Sequence, residues 1–245
     1  MDIARFFIPI IAGKKAVFSP LDLLPKVWLK SDTGFYADAG KTTPVTTNNT
    51  VVDVWTDQSG NGLDVVSDTG KMPKLMLNVI NGHAVLRFDA ADDWMASAVF
   101  ASALSQPNTV FIVLKHNSGS VAGAENYIGS KASAVNANNF AITNGTPDSW
   151  NIYAGTTLDS GVAIDTNVNI FTLLFNGASS TIRQNGVEIA AGNANTKTMG
   201  SLSLGYGGAE GVNSDIAEVI VYNSNLSDVN RAKVEGYLTT KFINP

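Results

Sequence analysis

One short segment has the spacing of a calcium-binding loop. Oxygen-bearing side chains stand at Asp57, Ser59 and Asn61, with Gly62 sixth and Asp68 twelfth in the segment. Calcium loops place their ligands at such alternate positions, with a glycine sixth and a bidentate glutamate twelfth. Here the twelfth residue is aspartate and the flanking residues are typical of strands. A tight turn in which the side chains bond their own backbone is therefore the alternative, and no other cofactor is expected.

The remaining acidic residues do not form the pattern of a glycosidase. Such enzymes hold two carboxylates on either side of the scissile bond, which one strand can supply from alternate positions. Glu125 and Glu188 each stand alone, and Asp215 and Glu218 point to opposite faces of a strand. The two histidines, His83 and His116, are not accompanied by a nucleophile elbow. We therefore expect a protein that is not an enzyme.

Glu218 lies in a strongly apolar strand, where a charged side chain needs a partner. Arg87 and Arg183 are the cations that we expect to serve. A buried ion pair is thus the preferred interpretation of this acid, ahead of a catalytic one.

Two groups of residues have the composition of a carbohydrate site, in which an aromatic face meets the apolar side of a sugar and amides bind its hydroxyls. The first group is Trp150 and Tyr153 with Asn144, Asp148 and Asn151, and the second is Tyr206 with Asn213. Trp150 shares a face with Ile152 whereas Tyr153 points the other way. Trp150 as a core residue is therefore the alternative to Trp150 as a sugar platform.

The N-terminal segment carries an apolar run that is too short to span a membrane. Its large side chains are Phe6, Phe7, Ile8, Ile10 and Ile11. Pro9 interrupts the run and only one basic residue precedes it, which is unlike a secretory signal. We expect residues 1–24 to form an arm that mediates docking and homo-oligomerisation, with packing on its own domain as the alternative, and residues 25–245 to form one domain.

Composition narrows the class of protein. The 245 residues are 44% hydrophobic and 15% charged, which suits a core surrounded by an Asn-, Ser- and Thr-rich surface. The net charge is -5 and no basic cluster occurs, so nucleic acid is not an expected partner, and neither is a membrane. There is no cysteine, which excludes disulfides and thiolate chemistry.

Short apolar runs recur about every ten residues between turns rich in Asn and Gly, as in a β-sandwich. Residues 109–115 predict a central strand, and Asn185-Gly186 predicts a hairpin turn. Residues 216–222 predict a second central strand, with 217, 219 and 221 on one face. A helix follows after Ser227, with an apolar stripe of Val234, Tyr237, Leu238 and Phe242.

The order of these pieces resembles a known family. The run Asp-Ile-Ala-Glu-Val-Ile-Val-Tyr-Asn at 215–223, followed by Leu-Ser-Asp and a helix, is similar to the C-terminal end of laminin-G-like, concanavalin A-like jelly-roll domains. Residues 35–45 and 55–62 resemble the entry segment of such domains in tailed-phage structural proteins. The resemblance implies an all-β jelly-roll sandwich with a C-terminal helix and an N-terminal arm.

The same resemblance implies a role in a bacteriophage virion. The expected protein is a structural or capsid decoration component, in head or tail, whose lectin-like domain binds host or environmental glycans. Its expected partners are other virion subunits and glycans. A cellular carbohydrate-binding or adhesion module, with calcium dependence, is the alternative, and a glycosidase is a minor one.

Overall fold

The computed structural model describes residues 17–89, 91–117, 125–130, 139–143, 148–205 and 212–244. Eighteen strands occur in these residues, together with one α-helix and two 3-10 helices, Pro20–Leu23 and Gly177–Ser179. In chain order they are β1 (Val27–Leu29), β2 (Phe35–Tyr36), β3 (Thr50–Val51), β4 (Val54–Trp55), β5 (Val65–Ser67), β6 (Lys74–Ile80), β7 (His83–Asp89), β8 (Met95–Ser97), β9 (Asn108–His116), β10 (Glu125–Gly129), β11 (Asn139–Thr143), β12 (Ser149–Tyr153), β13 (Thr157–Ala163), β14 (Val168–Phe175), β15 (Ser180–Gln184), β16 (Val187–Gly192), β17 (Ser203–Leu204), β18 (Asn213–Tyr222) and α1 (Asp228–Phe242).

The strands form two antiparallel sheets of nine strands each. The first sheet has the order β16-β15-β14-β9-β18-β7-β6-β3, and β1 also pairs with β18. The second sheet has the order β13-β12-β11-β10-β17-β8-β5-β4-β2. Apolar side chains from both sheets meet between them in one large core. The predicted all-β sandwich with a C-terminal helix is confirmed, and β9 and β18 are central strands as expected.

A bulge in β18 changes which residues face the core. The pairing of β18 with β9 shifts between Ile216 and Glu218. Ile216, Val219 and Val221 consequently face the second sheet, whereas Ala217, Ile220 and Tyr222 face the helix. The predicted faces of positions 216 and 217 are therefore wrong, because an extra residue inverts the alternation on one side of a bulge.

Helix α1 covers the outer face of the first sheet. The Ser227 side chain caps its first turn by accepting a hydrogen bond from the Asn230 amide at 3.3 Å. Val234, Leu238 and Phe242 are buried in a second apolar cluster, which includes side chains of β1, β9 and β18. The predicted apolar stripe is confirmed, and α1 shields the outward apolar side chains of β1, β9 and β18 from solvent.

The buried Glu218 carboxylate is held by groups from β1 and α1. It lies 2.7 Å from Lys241 Nζ and accepts hydrogen bonds from Trp28 Nε1 at 2.8 Å and from the Tyr237 hydroxyl at 3.0 Å. The interpretation as a buried ion pair is confirmed, but the expected arginine partners are wrong. Arg87 instead pairs with Asp215, and Arg183 with Glu235.

Residues 18–24, which the sequence places in the arm, contact the sandwich. Phe18 and Leu23 pack against the cluster beneath α1, and the Tyr222 hydroxyl donates a hydrogen bond to the Pro20 carbonyl at 3.1 Å. Residues 1–16, which contain the apolar run, lie outside the described residues. Among the described residues, no helix is both long and apolar enough to cross a membrane.

Candidate functional site

The segment with calcium-loop spacing is a hydrogen-bonded turn. Asp57 Oδ1 accepts from the amides of Trp28 at 2.9 Å and Ser59 at 2.8 Å, while Oδ2 accepts from the Ser59 hydroxyl at 2.7 Å and the Leu63 amide at 3.1 Å. The Asn61 side chain donates to the carbonyls of residues 25 and 26. This is the geometry that the turn alternative requires.

Glycine conformation agrees with the turn, since Gly60 and Gly62 have φ values of 89° and 69°. Asp68 lies just beyond β5 and is exposed. A calcium ion bound by Asp57, Ser59, Asn61 and Asp68 would have to replace the hydrogen bonds that now hold both Asp57 oxygens. The turn therefore accounts for the spacing of Asp57, Ser59 and Asn61 without requiring a metal.

Trp150 belongs to the core. Its side chain is fully buried and its ring lies 4.6 Å from that of Phe171, 5.7 Å from that of Phe140 and 5.8 Å from that of Tyr127, centroid to centroid. A sugar cannot stack on a ring that is enclosed on both faces. The hypothesis that Trp150 is a sugar platform is thus wrong, and the alternative of a core residue is confirmed.

The outer face of the second sheet carries the polar side chains of β10, β11 and β12. Trp150 and Ile152 point into the core, so Asn151 and Tyr153 point outward, as expected from their alternation. Asn139 pairs directly with Tyr153, and Asn126 lies on the same face because it pairs with Ala141, the outward neighbour of Asn151. We call Asn126, Asn139, Asn151 and Tyr153 the amide face.

The side chains of the amide face differ in exposure. Tyr153, Asn126 and Asn139 are half-buried, whereas Asn151 is only 5% exposed. Lys197 Nζ lies 3.3 Å from the Tyr153 hydroxyl and 5.1 Å from the ring centroid, which fixes the position of the ring. The sequence reasoning missed Asn126, Asn139 and Lys197, because polar and apolar residues do not alternate in β10 or β11 and no local pattern marks their outward face.

A row of further polar groups continues the amide face toward the edge of the sheet. Asn151 pairs with Asp159 on β13, and the Ser149 hydroxyl donates to Asp159 Oδ1 at 2.7 Å. Asp159 itself is exposed. Amide, hydroxyl and carboxylate groups therefore lie near one aromatic ring on one face of the sheet.

A second polar group, the mouth cluster, lies where the two sheets meet at one end of the sandwich. It consists of His116 at the end of β9 and Glu125 and Tyr127 on β10. The Tyr127 hydroxyl lies 2.7 Å from His116 Nδ1 and 3.2 Å from Glu125 Oε2. The backbone amide of Asn213 donates to the same Glu125 oxygen at 3.2 Å.

Burial dominates the protonation of the mouth cluster. It raises the pKa of Tyr127 well above the usual value, and the neighbouring Glu125 adds to the effect. Burial also lowers the pKa of His116, while the charge of Asp148 opposes that change. Asp148 and Asn213, two of the predicted sugar-site residues, thus lie at this end of the sandwich. Asn144 and Tyr206 lie outside the described residues.

An acidic triplet lies beside the mouth cluster. Carboxylate oxygens of Asp89, Asp92 and Asp93 lie within 4.8 Å of one another, an arrangement that could hold a divalent cation. Asp93 is 7% exposed, and its Oδ2 accepts a hydrogen bond from the Asp89 amide at 3.1 Å. Burial, with the Asp89 charge, raises the pKa of Asp93 to about 6. Asp89 pairs directly with Asn213 on β18, and the backbone amide of Asn213 donates to Glu125. Asn213 therefore connects the acidic triplet to Glu125.

Comparison with known proteins shows the fold. No protein-family model matches the chain, and no curated protein matches it. An arabinofuranosidase solved with arabinofuranosyl-α-1,2-xylobiose is similar over 78% of this chain and 51% of that chain, with a TM-score of 0.62 and 13% identity. The Trypanosoma rangeli sialidase, solved with sialic acid, is similar over 90% of this chain and 37% of its own, with a TM-score of 0.55 and 12% identity.

The binding domain of botulinum neurotoxin serotype D is similar as well, over 78% of this chain and 50% of that chain, with a TM-score of 0.55 and 13% identity. This chain therefore spans between about a third and a half of the length of these solved structures. At such identities the likeness establishes a shared β-sandwich fold and not a shared activity.

The expectation that the chain is not an enzyme needs correction. Chains of two glycosidases, an arabinofuranosidase and a sialidase, contain a unit of this fold. The sequence argument relied on finding paired acids on one strand, whereas in the structure Asp89 pairs with Asn213 and the Asn213 backbone amide donates to Glu125 on the other sheet. The absence of a one-strand acid pair is therefore no ground for excluding glycosidase chemistry.

Proposed function

We propose that this protein binds carbohydrate on the amide face of the second sheet. The observation that carries the proposal is the direct pairing of Tyr153 with Asn139, next to Asn126, on a sheet face that no helix covers among the described residues. Sugars present apolar C–H faces and many hydroxyls, which an aromatic ring and adjacent amides recognise together.

Each residue has a distinct part in the proposed site. The ring of Tyr153 stacks on the apolar face of a sugar ring, and Lys197 keeps the tyrosine in place. Asn126 and Asn139 bind hydroxyls through amide groups that can both donate and accept hydrogen bonds. Asp159, at the exposed edge, accepts from a further hydroxyl.

The printed ligands of the structural neighbours suggest which sugars to test first. The arabinofuranosidase was solved with an arabinofuranosyl xylobiose and the sialidase with sialic acid. Arabinoxylan fragments and sialylated oligosaccharides are therefore the first probes, on a glycan array that also contains other oligosaccharides. The array is run with and without a chelator, because the calcium hypothesis predicts that binding is lost with the chelator.

Tyr153→Ala is the decisive variant. It should weaken binding to any glycan that the array detects several-fold, up to about ten-fold, since stacking on an aromatic ring contributes roughly 0.5–1.5 kcal/mol beyond the area that it buries. Tyr36→Ala, at the opposite end of the same sheet, is the matched control and should leave affinity unchanged. If no glycan binds on the array in either condition, or if the two variants lose affinity equally, carbohydrate binding at the amide face is refuted.

A second candidate function is glycoside hydrolysis at the mouth cluster and the adjacent acidic triplet. The observation in its favour is Asp93, whose pKa of about 6 suits a general acid. A second carboxylate, that of Glu125, bonds the backbone amide of Asn213, the residue that pairs with Asp89 of the same acidic triplet. The test is release of 4-nitrophenol from 4-nitrophenyl α-L-arabinofuranoside and of sialic acid from sialyllactose. Turnover that survives both Asp93→Asn and Glu125→Gln, or no turnover at all, would contradict this candidate.

The biological setting that we propose is display of this domain on a virion, with other virion subunits as its neighbours. This proposal rests on the sequence resemblance to tailed-phage proteins. Mass spectrometry of purified particles should detect the chain in stoichiometric amounts. If the particles lack it, a cellular carbohydrate-binding or adhesion module is the remaining proposal.

A further inference from the structure

An apolar groove of about 380 Å³ runs along the exposed side of α1. Its lining includes Val17 and Phe18 on one side and Gly236, Tyr237 and Thr240 of the helix on the other. Val17 is 92% exposed, although it lies directly beside other apolar surface. This groove is on the opposite sheet from the amide face and has no part in the proposed sugar site.

The floor of the groove depends on a glycine in the middle of a helix. Gly236 lies in the third turn of α1, where glycine is less favourable for helix stability than alanine. A Cβ atom built at Gly236 would meet no other atom within 4 Å, so packing within the described residues does not require glycine here. Glycine does leave the helix backbone bare, which permits close approach of another chain segment.

Residues that could fill the groove precede it directly in the chain. The described residues begin at Val17, which itself lines the groove, and the apolar run at residues 6–11 stands a few positions before it. Five intervening residues span up to roughly 17 Å, and the lining from Lys233 to Lys241 extends about 12 Å along the helix. Residues 6–11 can thus reach every part of the groove.

We infer that the groove on α1 is the binding site for residues 6–11 of the same chain. The tether gives this segment an effective local concentration in the millimolar range, so it outcompetes the same segment of other molecules at ordinary protein concentrations. Burial of its large side chains, with those of Val17 and Tyr237, supplies the stabilisation. The groove is thus an intramolecular docking surface for the apolar part of the arm.

Disulfide trapping tests this inference, because the natural chain contains no cysteine. The variant Ile8→Cys with Thr240→Cys should oxidise to a monomer of altered mobility on a non-reducing gel. Val229→Cys, 67% exposed in the first turn of α1 and outside the groove, replaces Thr240→Cys in the matched control. We expect the groove pair to form at least about ten times faster than the control pair.

Labelling provides an independent readout. The single cysteine of Thr240→Cys should react with a bulky maleimide several-fold faster when residues 1–16 are deleted, while far-UV circular dichroism stays unchanged. Equal trapping rates of the two pairs, an unchanged labelling rate in the folded deletion variant, or trapping only as a covalent dimer would each overturn the inference. The dimer outcome would assign the groove to the arm of a second copy.

Discussion

Replacing Asp93 by Asn should stabilise the protein at neutral pH and should cease to do so in acid. Burial and the neighbouring Asp89 charge raise the pKa of Asp93 from 3.8 to about 6. A carboxyl group whose pKa is raised on folding binds its proton more tightly in the folded state than in the unfolded one. The stability that the wild-type protein has near pH 4 is therefore lost progressively as the pH rises through 6.

The structure sets the size of the effect. The difference between 3.8 and about 6 corresponds to roughly 3 kcal/mol if unfolded Asp93 titrates normally, which is an upper bound for the charge penalty above pH 7. Asparagine removes that charge, and its Oδ1 can still accept from the Asp89 amide. We expect Asp93→Asn to raise the free energy of unfolding by about 1–3 kcal/mol at pH 7.5 and by less than about 0.5 kcal/mol at pH 4.

Urea denaturation followed by tryptophan fluorescence measures both values, because Trp55 and Trp150 are buried in the core. Burial also lowers the pKa of His116, but the contribution of this group cancels when the variant is compared with wild type at the same pH. Asp92→Asn, an exposed neighbour, is the matched control and should change stability by less than about 0.5 kcal/mol. An equal gain at both pH values, or a loss at pH 7.5, would refute the reasoning.

Three further substitutions test the contacts described above. Lys241→Met should destabilise the protein by about 3–5 kcal/mol, because it leaves the Glu218 carboxylate buried without a cation, and adding Glu218→Gln should restore much of the loss in urea denaturation. Gly205→Ala should lower the free energy of unfolding by roughly 2 kcal/mol or more, because Gly205 has a φ of +72° and a Cβ would lie 2.7 Å from Phe88 and 2.8 Å from the Asp93 carbonyl. An unchanged melting temperature would contradict this prediction. Asp57→Ala should lower stability by about 1–3 kcal/mol equally with calcium and with chelator, whereas a loss seen only with calcium would support the metal hypothesis.

Local signals in the sequence predicted the elements of this fold well. The Asn185-Gly186 dipeptide adopts φ values of 50° and 82°, as its hairpin turn requires, and it joins β15 to β16. The strand predicted at residues 109–115 is β9, Asn108–His116. Such features depend on neighbouring residues alone, so pattern and turn chemistry are sufficient to find them.

Contacts between distant residues could not be predicted in the same way. Glu218 meets Lys241 only because α1 folds back across β18, and the choice of lysine over arginine depends on that crossing. His116 and Glu125 come together from strands of different sheets. No periodicity within one segment records which strands become neighbours, and the bulge after Ile216 likewise arises from pairing with β9.

The two outer faces of the sandwich differ in chemistry, and this difference supports the place that we propose for the carbohydrate site. The outward residues of β18, such as Ala217 and Ile220, are apolar because α1 covers them. The corresponding positions of β10 to β12 are Asn126, Asn139 and Asn151, whose amides would be costly to bury without partners. The side-chain amides of such a face can form hydrogen bonds with water or with the hydroxyls of a sugar. The chain therefore separates its two surfaces by chemistry: α1 covers the apolar one, and no helix of the described residues covers the amide face, where we propose that a glycan binds.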